Sequence, residues 1–374
     1  MGVTSVENVF LGICVRGRLF IATAGFALLV LCTLSVAFVQ ADTYEDWQRM
    51  RDIPRSGYVA NRAGSRIEMD GRLDDAAWRG AAWSERFQDI ESKAKPRPRF
   101  DTRVKMLWDR KYLYIGAFLP DPHVWGTLTE HDSVIFHDND FEVFIDPDAD
   151  NHEYYEFEIN ALNTGWDLFL DKPYKDGGKA DNGWEIPGLK TAIHIEGTLN
   201  DPSDIDQYWS VEIAIPWKAL SQHSRRRYPP SAGDQWRINF SRVQWKTTVA
   251  DGKYQKVPDV REDNWVWSPQ GIIDMHRPEK WGIVQFSTQQ ESVVGLNPDV
   301  TENARKILME IYHKQKANHR KTGEWWTTLE ELGIGSAKDA GVVIEKTNAG
   351  YLAEITLPDG RTACVTQDSR LWIK

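Results

Sequence analysis

Cysteine is scarce in this 374-residue chain, and two of its three cysteines, Cys14 and Cys32, fall in an N-terminal apolar segment. Cys364 is left without a partner in the remainder, which excludes an intramolecular disulfide and any cysteine-based metal site there. We expect Cys364 to be a buried thiol rather than a reactive one. The fold must therefore be stabilised by its hydrophobic core, for which 41% hydrophobic residues are ample.

An excess of positive charge is also missing. The formal net charge of −10 argues against nucleic acid or an anionic membrane surface as the main partner. The sequence also lacks the Gly-x-Ser-x-Gly, His-Glu-x-x-His and phosphate-loop motifs of common enzyme classes, and it contains no internal repeat. Composition and motifs therefore give no positive indication of catalysis.

A long apolar run, from Leu19 to Val39, lies at the N-terminus and follows Arg16 and Arg18. With the small residues at its end, this pattern predicts a secretory signal in residues 1–41. The run is long for a signal, so an uncleaved N-terminal anchor stays open as the alternative. In both cases we expect an exported protein that is periplasmic, extracellular or envelope-associated, with membrane contact only through this segment.

After a polar linker at 42–57, the chain shows short alternating runs separated by turn residues. The runs of residues 58–287 are Arg103–Trp108, Tyr112–Phe118, Asp140–Asp146, Tyr155–Asn160, Gly165–Asp171, Lys190–Glu196, Tyr208–Pro216, Gln235–Gln244 and Trp281–Phe286. These runs are strand-like, and those of the Asp140–Asn160 hairpin alternate with the period of two that is typical of a half-buried strand. The series predicts a mainly β fold, an antiparallel β-sandwich of the immunoglobulin-like type.

Residues 295–374 predict a small, separate α+β domain of unknown role. Its helix, within 300–318, is indicated by apolar residues at helical spacing, namely Ala304, Ile307, Leu308, Ile311 and Tyr312. Tyr351–Leu357 and Arg361–Gln367, joined by a Pro-Asp-Gly turn, predict a hairpin, and Leu371–Ile373 adds a strand.

The segment from Asp140 to Asn160 is the most informative one, because it predicts a hairpin with an acidic, aromatic open face. Its connecting loop carries Asp146, Asp148 and Asp150 at the one-three-five spacing of loops that bind hard cations. The loop lacks the glycine and the glutamate of an EF-hand. We predict a calcium site made from some of these aspartates and Glu153, and a solvated acidic turn is the alternative.

Five motifs follow one another in residues 58–287. They are Asp70-Gly71-x-Leu73-Asp74-Asp75-x-x-Trp78, Val104-Lys-Met-Leu-Trp108-Asp109-x-x-Tyr112-Leu-Tyr114-Ile115, Asp140-x-Glu142-x-Phe144-Ile145-Asp146, Trp209-x-Val-Glu212-x-x-Ile215-Pro216-Trp217 and His276-x-Pro278-Glu279-x-Trp281-Gly282. In this order they resemble carbohydrate-binding module family 9 and its DOMON-like relatives. The resemblance implies a β-sandwich with structural calcium that binds oligo- or polysaccharides, and a glycoside hydrolase as a partner in carbohydrate catabolism.

The resemblance also implies where the sugar would bind. Glu142 and Asn160 correspond to an acceptor and an amide that form bidentate hydrogen bonds with vicinal hydroxyls. Glu158 stands where family members carry an arginine. We therefore expect the hairpin to form one wall of a sugar-binding rim whose polar side chains differ from those of the family.

The stacking residues depart further from the family. The two tryptophans that clamp the sugar in its best-known members correspond to His137, next to Phe136, and to Met275. The clamp is therefore absent or rebuilt from other residues. The chain contains 17 tryptophans, and indole faces stack on sugar rings. Trp265 and Trp267, on one face of a short run, are further candidates for ligand contact.

Two other functions stay open as alternatives. A glycoside hydrolase needs two carboxylates at a defined separation, one with a raised pKa, and carboxylates are plentiful, although none lies in a recognisable catalytic signature. DOMON-like relatives also include b-type haem domains, in which a methionine such as Met275 and a histidine such as His137 would face each other. We expect noncovalent glycan binding without catalysis.

Overall fold

The computed structural model describes residues 44–224, 226–290, 295–334, 337 and 340–374. The predicted signal or anchor of residues 1–41 lies outside this described part. Among the helices that are described, none is long and apolar enough to cross a membrane.

Strands dominate the described residues. They are β1 Gly57–Arg62, β2 Gln88–Asp89, β3 Arg103–Trp108, β4 Tyr112–Pro120, β5 Asp140–Asp146, β6 Tyr154–Asn160, β7 Gly165–Leu170, β8 Ala180–Asp181, β9 Lys190–Glu196, β10 Tyr208–Pro216, β11 Gln235–Gln244, β12 Thr247–Ala250, β13 Lys253–Lys256, β14 Asp263–Val266, β15 Gly282–Phe286, β16 Val342–Thr347, β17 Gly350–Thr356, β18 Thr362–Thr366 and β19 Leu371–Ile373. The helices are α1 Tyr44–Met50, α2 Ala76–Gly80, α3 Trp217–Leu220, α4 Glu302–Thr322 and α5 Leu329–Leu332.

The predicted β-sandwich is confirmed, and strand β1 joins its two sheets. Gly57–Ala60 pair with β15, and Asn61 and Arg62 pair with β3. One sheet runs in the order β8-β7-β6-β5-β11-β15-β1 and the other in the order β1-β3-β4-β10-β9. Both pairings of β1 are parallel, which the sequence pattern did not indicate, whereas the other pairings of the described strands are antiparallel.

A single core fills the space between the two sheets. Phe141, Val143 and Ile145 of β5 enter it because they share one face of a strand with period two. The tryptophans of the five motifs are also buried, in this core or in small clusters beside it, and they are Trp78, Trp108, Trp209, Trp217 and Trp281. These five tryptophans therefore pack the fold and are not free to contact a ligand.

The C-terminal segment forms a separate four-stranded sheet, β16-β17-β18-β19, against which helix α4 packs. The predicted helix, hairpin and last strand are all present. Cys364 is buried as expected, and burial raises the pKa of its thiol to about 11. Helix α1 lies within the predicted linker, and its Trp47 and Met50 belong to the same apolar cluster as α4. This part of the linker is therefore packed helix rather than exposed chain.

Candidate functional site

A cleft of ≈ 360 Å³ lies over the outer face of strands β5, β6 and β7. We name it the acidic cleft. It is lined by Ile90, Phe136, Glu142, Phe144, Glu156, Glu158, Trp166, Leu168, Tyr174, Val243, Glu262, Asn264, Ile273, Asp274, Met275 and His276. The strand residues that alternate with the core positions of β5 and β6 form its floor, so the two-residue period places the carboxylates on this face.

The floor of the cleft concentrates buried carboxyl groups. Glu142, Glu156 and Glu158 are each at most 6% exposed, and Asp140 behind them is fully buried. One oxygen each of Asp140, Glu142 and Glu158 lies within 4.8 Å of the others. An unpaired buried charge costs so much free energy that such groups take up protons instead.

The pKa values of these groups follow from that burial. Burial raises the pKa of Glu142 to about 7. It raises the pKa values of Asp140, Glu156 and Glu158 well above their ordinary range, and the neighbouring carboxylates add to the effect. Much of the floor is therefore uncharged near neutral pH, and a protonated carboxyl group can both donate and accept a hydrogen bond.

Histidine is the basic side chain that approaches the floor. His276 Nε2 lies 4.0 Å from Glu156 Oε2, and its Nδ1 is 3.0 Å from the Tyr154 hydroxyl. Burial lowers the pKa of His276 to about 4. The imidazole is therefore neutral at pH 7 and does not compensate the carboxylates by charge.

Aromatic rings stand around the floor. Phe136 is 38% exposed and Tyr174 is 41% exposed, both unusually open for large apolar side chains. The backbone N–H of Phe136 donates to Glu158 Oε2 at 3.0 Å, which fixes this ring beside the acids. The Tyr174 ring packs edge-on against His276 with centroids 4.4 Å apart. Trp166 lines the cleft, and its Nε1 has no hydrogen-bond partner among the described residues.

Asn160 is placed differently from the prediction. Its side chain is fully buried, and its Nδ2 donates to Leu128 O at 2.9 Å and to Asp138 Oδ2 at 3.0 Å. Its Oδ1 accepts from the backbone N–H groups of Leu162 and Thr164, both at 3.0 Å. The amide is thus occupied by the protein itself, because Asn160 ends β6 where two loops need hydrogen-bond partners. It does not line the acidic cleft.

The two candidate tryptophans are also buried rather than displayed. Trp265 is 3% exposed and Trp267 is 1% exposed, and both belong to the core between the sheets. Their shared strand face is the inner one, so the proposed ring contacts with a ligand do not fit this geometry. Arg99 and Arg242 lie over the Trp265 ring at 5.0 and 5.4 Å instead.

Of the two positions that correspond to the family's tryptophan clamp, only one lines the acidic cleft. Met275 lines the cleft, and the Phe136 ring does so in place of His137, which is exposed next to it. His137 and Met275 therefore do not face each other across this cleft, as a haem site would need. Met275 O instead accepts a hydrogen bond from Trp281 Nε1 at 2.8 Å.

The predicted cation loop brings its three aspartates together. Asp146, Asp148 and Asp150 each offer one oxygen within 4.8 Å of the others. Burial raises the pKa of Asp148 to about 6, and the nearby Asp150 adds to the effect. Arg370 Nε pairs with Asp150 Oδ2 at 3.0 Å, and the cluster offers the carboxylate oxygens that calcium prefers. Glu153 does not join these three aspartates, and its carboxylate lies 3.6 Å from Arg370 Nη2.

The chain matches a family model described as "Carbohydrate family 9 binding domain-like" over residues 69–285, more than half of its length. It belongs to this family. All of the acidic cleft lies within the matched residues. The residues after 285, including α4 and the sheet β16–β19, lie beyond the family 9 domain.

Curated relatives match only part of the chain. Endo-1,4-beta-xylanase A of Thermotoga maritima is 27% identical over 161 residues, which is 41% of this chain and 12% of the xylanase. The enzyme of the same name from Thermotoga neapolitana is 26% identical over the same length, with the same coverage. The chain thus spans about one eighth of the length of these relatives.

Solved structures show similar domains at low identity. A family 9 module from Caldicellulosiruptor kristjanssonii in complex with cellotriose is 17% identical, with a TM-score of 0.40, and covers 64% of this chain and 99% of its own. A family 9 module from the same organism in complex with glucose is 15% identical, with a TM-score of 0.39, and covers 64% of this chain and 100% of its own.

Several cleft residues of this family 9 domain were not found from the sequence. Glu156 and Trp166 share the open face of β6 and β7, and the alternation that identified Glu142 and Glu158 could have identified them. Tyr174 follows β7 in a short 3-10 turn and His276 precedes β15. These two meet only in three dimensions, so no local pattern predicts them.

Proposed function

We propose that the acidic cleft binds an oligo- or polysaccharide noncovalently, as the sugar site of this family 9 domain. The observation that carries the proposal is the pairing of two exposed rings, Phe136 and Tyr174, with buried carboxyl groups in one cleft. Aromatic faces bind the apolar faces of sugar rings. Hydroxyl groups, which donate and accept, find matching partners in protonated carboxyl groups.

In this proposal Phe136 and Tyr174 take over the role of the family's tryptophan clamp. Glu142 and Glu158 are the acceptors and donors on the floor of the cleft. Cellotriose and glucose are bound by the family 9 module from Caldicellulosiruptor. Because both the clamp and the polar floor differ here, we propose a glycan other than a cellulose chain end.

Removal of either ring is expected to weaken glycan binding. Phe136→Ala and Tyr174→Ala should each lower the affinity by about threefold to tenfold, since an aromatic contact contributes about 0.5–1.5 kcal/mol. The affinity is measured by calorimetry, with a glycan that binds the wild-type protein on a glycan array as the ligand. Trp83→Ala is the matched control, because Trp83 is equally exposed at 38% and lies outside the cleft. Unchanged affinity in both cleft variants would place the sugar elsewhere.

We further propose that the protein is exported and supports polysaccharide breakdown beside a glycoside hydrolase. The N-terminal apolar segment and the partial match to the xylanases support this role. A hydrolase activity of the chain itself is the alternative, and the raised pKa values on the cleft floor are its best support. Release of reducing ends from an array-selected glycan by the purified chain would favour that alternative.

A calcium ion between Asp146, Asp148 and Asp150 is proposed to stiffen the β5–β6 loop. Calcium should therefore raise the melting temperature of chelator-treated protein, and Asp148→Asn should abolish the rise. The melting temperature is followed by circular dichroism with and without added CaCl₂. Asp171→Asn, which changes an exposed aspartate that follows β7, is the control. An equal rise in Asp148→Asn would exclude this loop as the site.

A further inference from the structure

A second group of acidic residues surrounds one histidine, away from the floor of the acidic cleft. His131 lies in the connection between β4 and β5, and its Nε2 is the centre of the group. Glu185 Oε2 lies 3.2 Å from this nitrogen, Asp132 Oδ1 lies 3.4 Å from it, and Asp167 Oδ1 lies 3.5 Å from it. Suitable donor atoms of His131, Asp167 and Glu185 all lie within 4.8 Å of one another.

The other nitrogen of the imidazole has its own partner. His131 Nδ1 lies 2.9 Å from the backbone carbonyl oxygen of Gly165. A carbonyl accepts only, so Nδ1 carries the proton and donates it, and in the neutral ring the lone pair is then on Nε2. This is the arrangement in which histidines ligate metals, since a carbonyl partner fixes both the tautomer and the ring orientation.

Asp167 supplies a separate observation. It is 1% exposed, and its Oδ2 accepts from the backbone N–H of Ile186 at 2.5 Å. Its Oδ1 is buried and has no hydrogen-bond partner among the described residues. That free oxygen is the one that points at His131 Nε2. Buried carboxylate oxygens without a partner are rare in folded proteins and are satisfied by an ion or a donor.

We propose that His131, Asp167 and Glu185 form a binding site for a zinc-type divalent cation, with Asp132 as an additional carboxylate at its edge. Zinc is bound at about 2.0–2.2 Å by nitrogen and oxygen in a tetrahedron, which places neighbouring donor atoms about 3.3–3.6 Å apart. The distances from His131 Nε2 to Asp132 and Asp167, 3.4 and 3.5 Å, agree with such edges, and the distance to Glu185, 3.2 Å, is slightly shorter. A small movement of the exposed Glu185 side chain completes the site.

The donor set selects between cations. Calcium and magnesium prefer shells made only of oxygen, whereas imidazole with carboxylates suits zinc and its first-row neighbours. The site therefore differs in kind from the all-aspartate loop at Asp146. A cation here would tie the β4–β5 connection, which also carries Phe136, to β7 and to the segment after β8.

Titration of the full chain with ZnCl₂ tests the proposal. The chain is purified without a polyhistidine tag, treated with chelator and studied by calorimetry at pH 7.5. We expect one zinc ion to bind per chain, and His131→Ala and Glu185→Gln each to weaken it by more than about tenfold, since loss of even an outer-shell partner costs about 10- to 100-fold. Both side chains are exposed, so neither change should affect folding, which circular dichroism verifies.

The control is His194→Ala. His194 Nε2 lies 3.3 Å from Glu196 Oε2, so it forms a histidine–glutamate pair of the same length without the buried Asp167, and its loss should leave zinc affinity unchanged. Absence of zinc binding at 100-fold molar excess, or equal affinity in His131→Ala and wild type, overturns the proposal. Calcium binding at this site as tight as zinc binding overturns the choice of cation.

Discussion

Asn160→Ala is expected to lower the free energy of unfolding by about 3 kcal/mol or more. The side chain forms four hydrogen bonds in a fully buried position, to Leu128, Asp138, Leu162 and Thr164. Alanine would leave the backbone N–H groups of Leu162 and Thr164 and the carbonyl of Leu128 without these partners, whereas Asp138 Oδ2 keeps two other donors. Each unsatisfied buried group costs about 1–3 kcal/mol. Urea denaturation of wild type and variant at one pH measures the difference.

An exposed asparagine provides the comparison. Asn182 lies in a turn after β8 and is exposed, so Asn182→Ala should change stability by less than about 0.5 kcal/mol. If Asn160→Ala instead retains full stability and loses only glycan affinity, Asn160 is a ligand contact as the family resemblance implied. The two roles are thus separated by one denaturation curve and one binding titration.

Asn160 also shows where sequence patterns stop being informative. Strand period two places Asn160 on the same face as Glu142 and Glu158, and that much is confirmed by the register of β5 and β6. The alternating pattern does not predict which loops pack against the end of β6. The backbone carbonyl of Leu128 and the backbone N–H of Thr164 form hydrogen bonds with the Asn160 amide. Backbone groups are the same in every residue, so no sequence pattern reveals these contacts.

The fold was predictable for a related reason. Most strands of the sandwich show local alternation, and the hairpin β17–β18 has a Pro-Asp-Gly turn, so short windows of sequence suffice. Strand β1 was missed because its burial depends on pairing with β15 and β3, which lie far away in the chain. Helix α1 was missed because seven residues contain too few turns to show a period.

Trp265 and Trp267 illustrate a second limit. Alternation correctly put both rings on one side of this segment, although Trp267 follows the end of β14. It cannot tell the inner side of a sheet from the outer one. The decision comes from the pairing of β14 with β11, which turns that face toward the core. The acidic cleft could not be predicted from the sequence either, because its walls come from segments that lie far apart in the chain and meet only in the folded sandwich.

The second large effect concerns pH. The folded protein should lose stability as the pH rises from 6.5 to 8, because the acidic cleft holds carboxyl groups that are protonated when folded and ionised when unfolded. A group whose pKa is raised on folding stabilises the folded state most fully below its unfolded pKa. This contribution is lost as the pH rises through the folded pKa, which is about 7 for Glu142 and higher for Glu156 and Glu158.

The pH range from 6.5 to 8 limits the influence of His276, whose contribution to stability changes with pH in the opposite direction. Burial lowers the pKa of His276 to about 4 from 6.5, so its contribution to stability increases with pH and levels off once the pH has passed the unfolded pKa of 6.5. The titratable groups around the floor are Asp138, Asp140, Glu142, Tyr154, Glu156, Glu158, Tyr174, Glu262, Asp274 and His276. Within the window, the cleft carboxyl groups therefore favour a loss of stability with rising pH, and Glu212 and His131, whose pKa values are also raised, add to it.

Glu158→Gln isolates one of these groups. Each carboxyl group that keeps its proton only in the folded state contributes a slope of about 1.4 kcal/mol per pH unit. The glutamine variant should therefore show a shallower loss of unfolding free energy between pH 6.5 and 8, measured by urea denaturation at several pH values. Glu85→Gln, which changes an exposed glutamate, should retain the wild-type slope. A wild-type stability that stays level or rises across this window would mean that the cleft carboxylates are ionised and compensated by something other than protons.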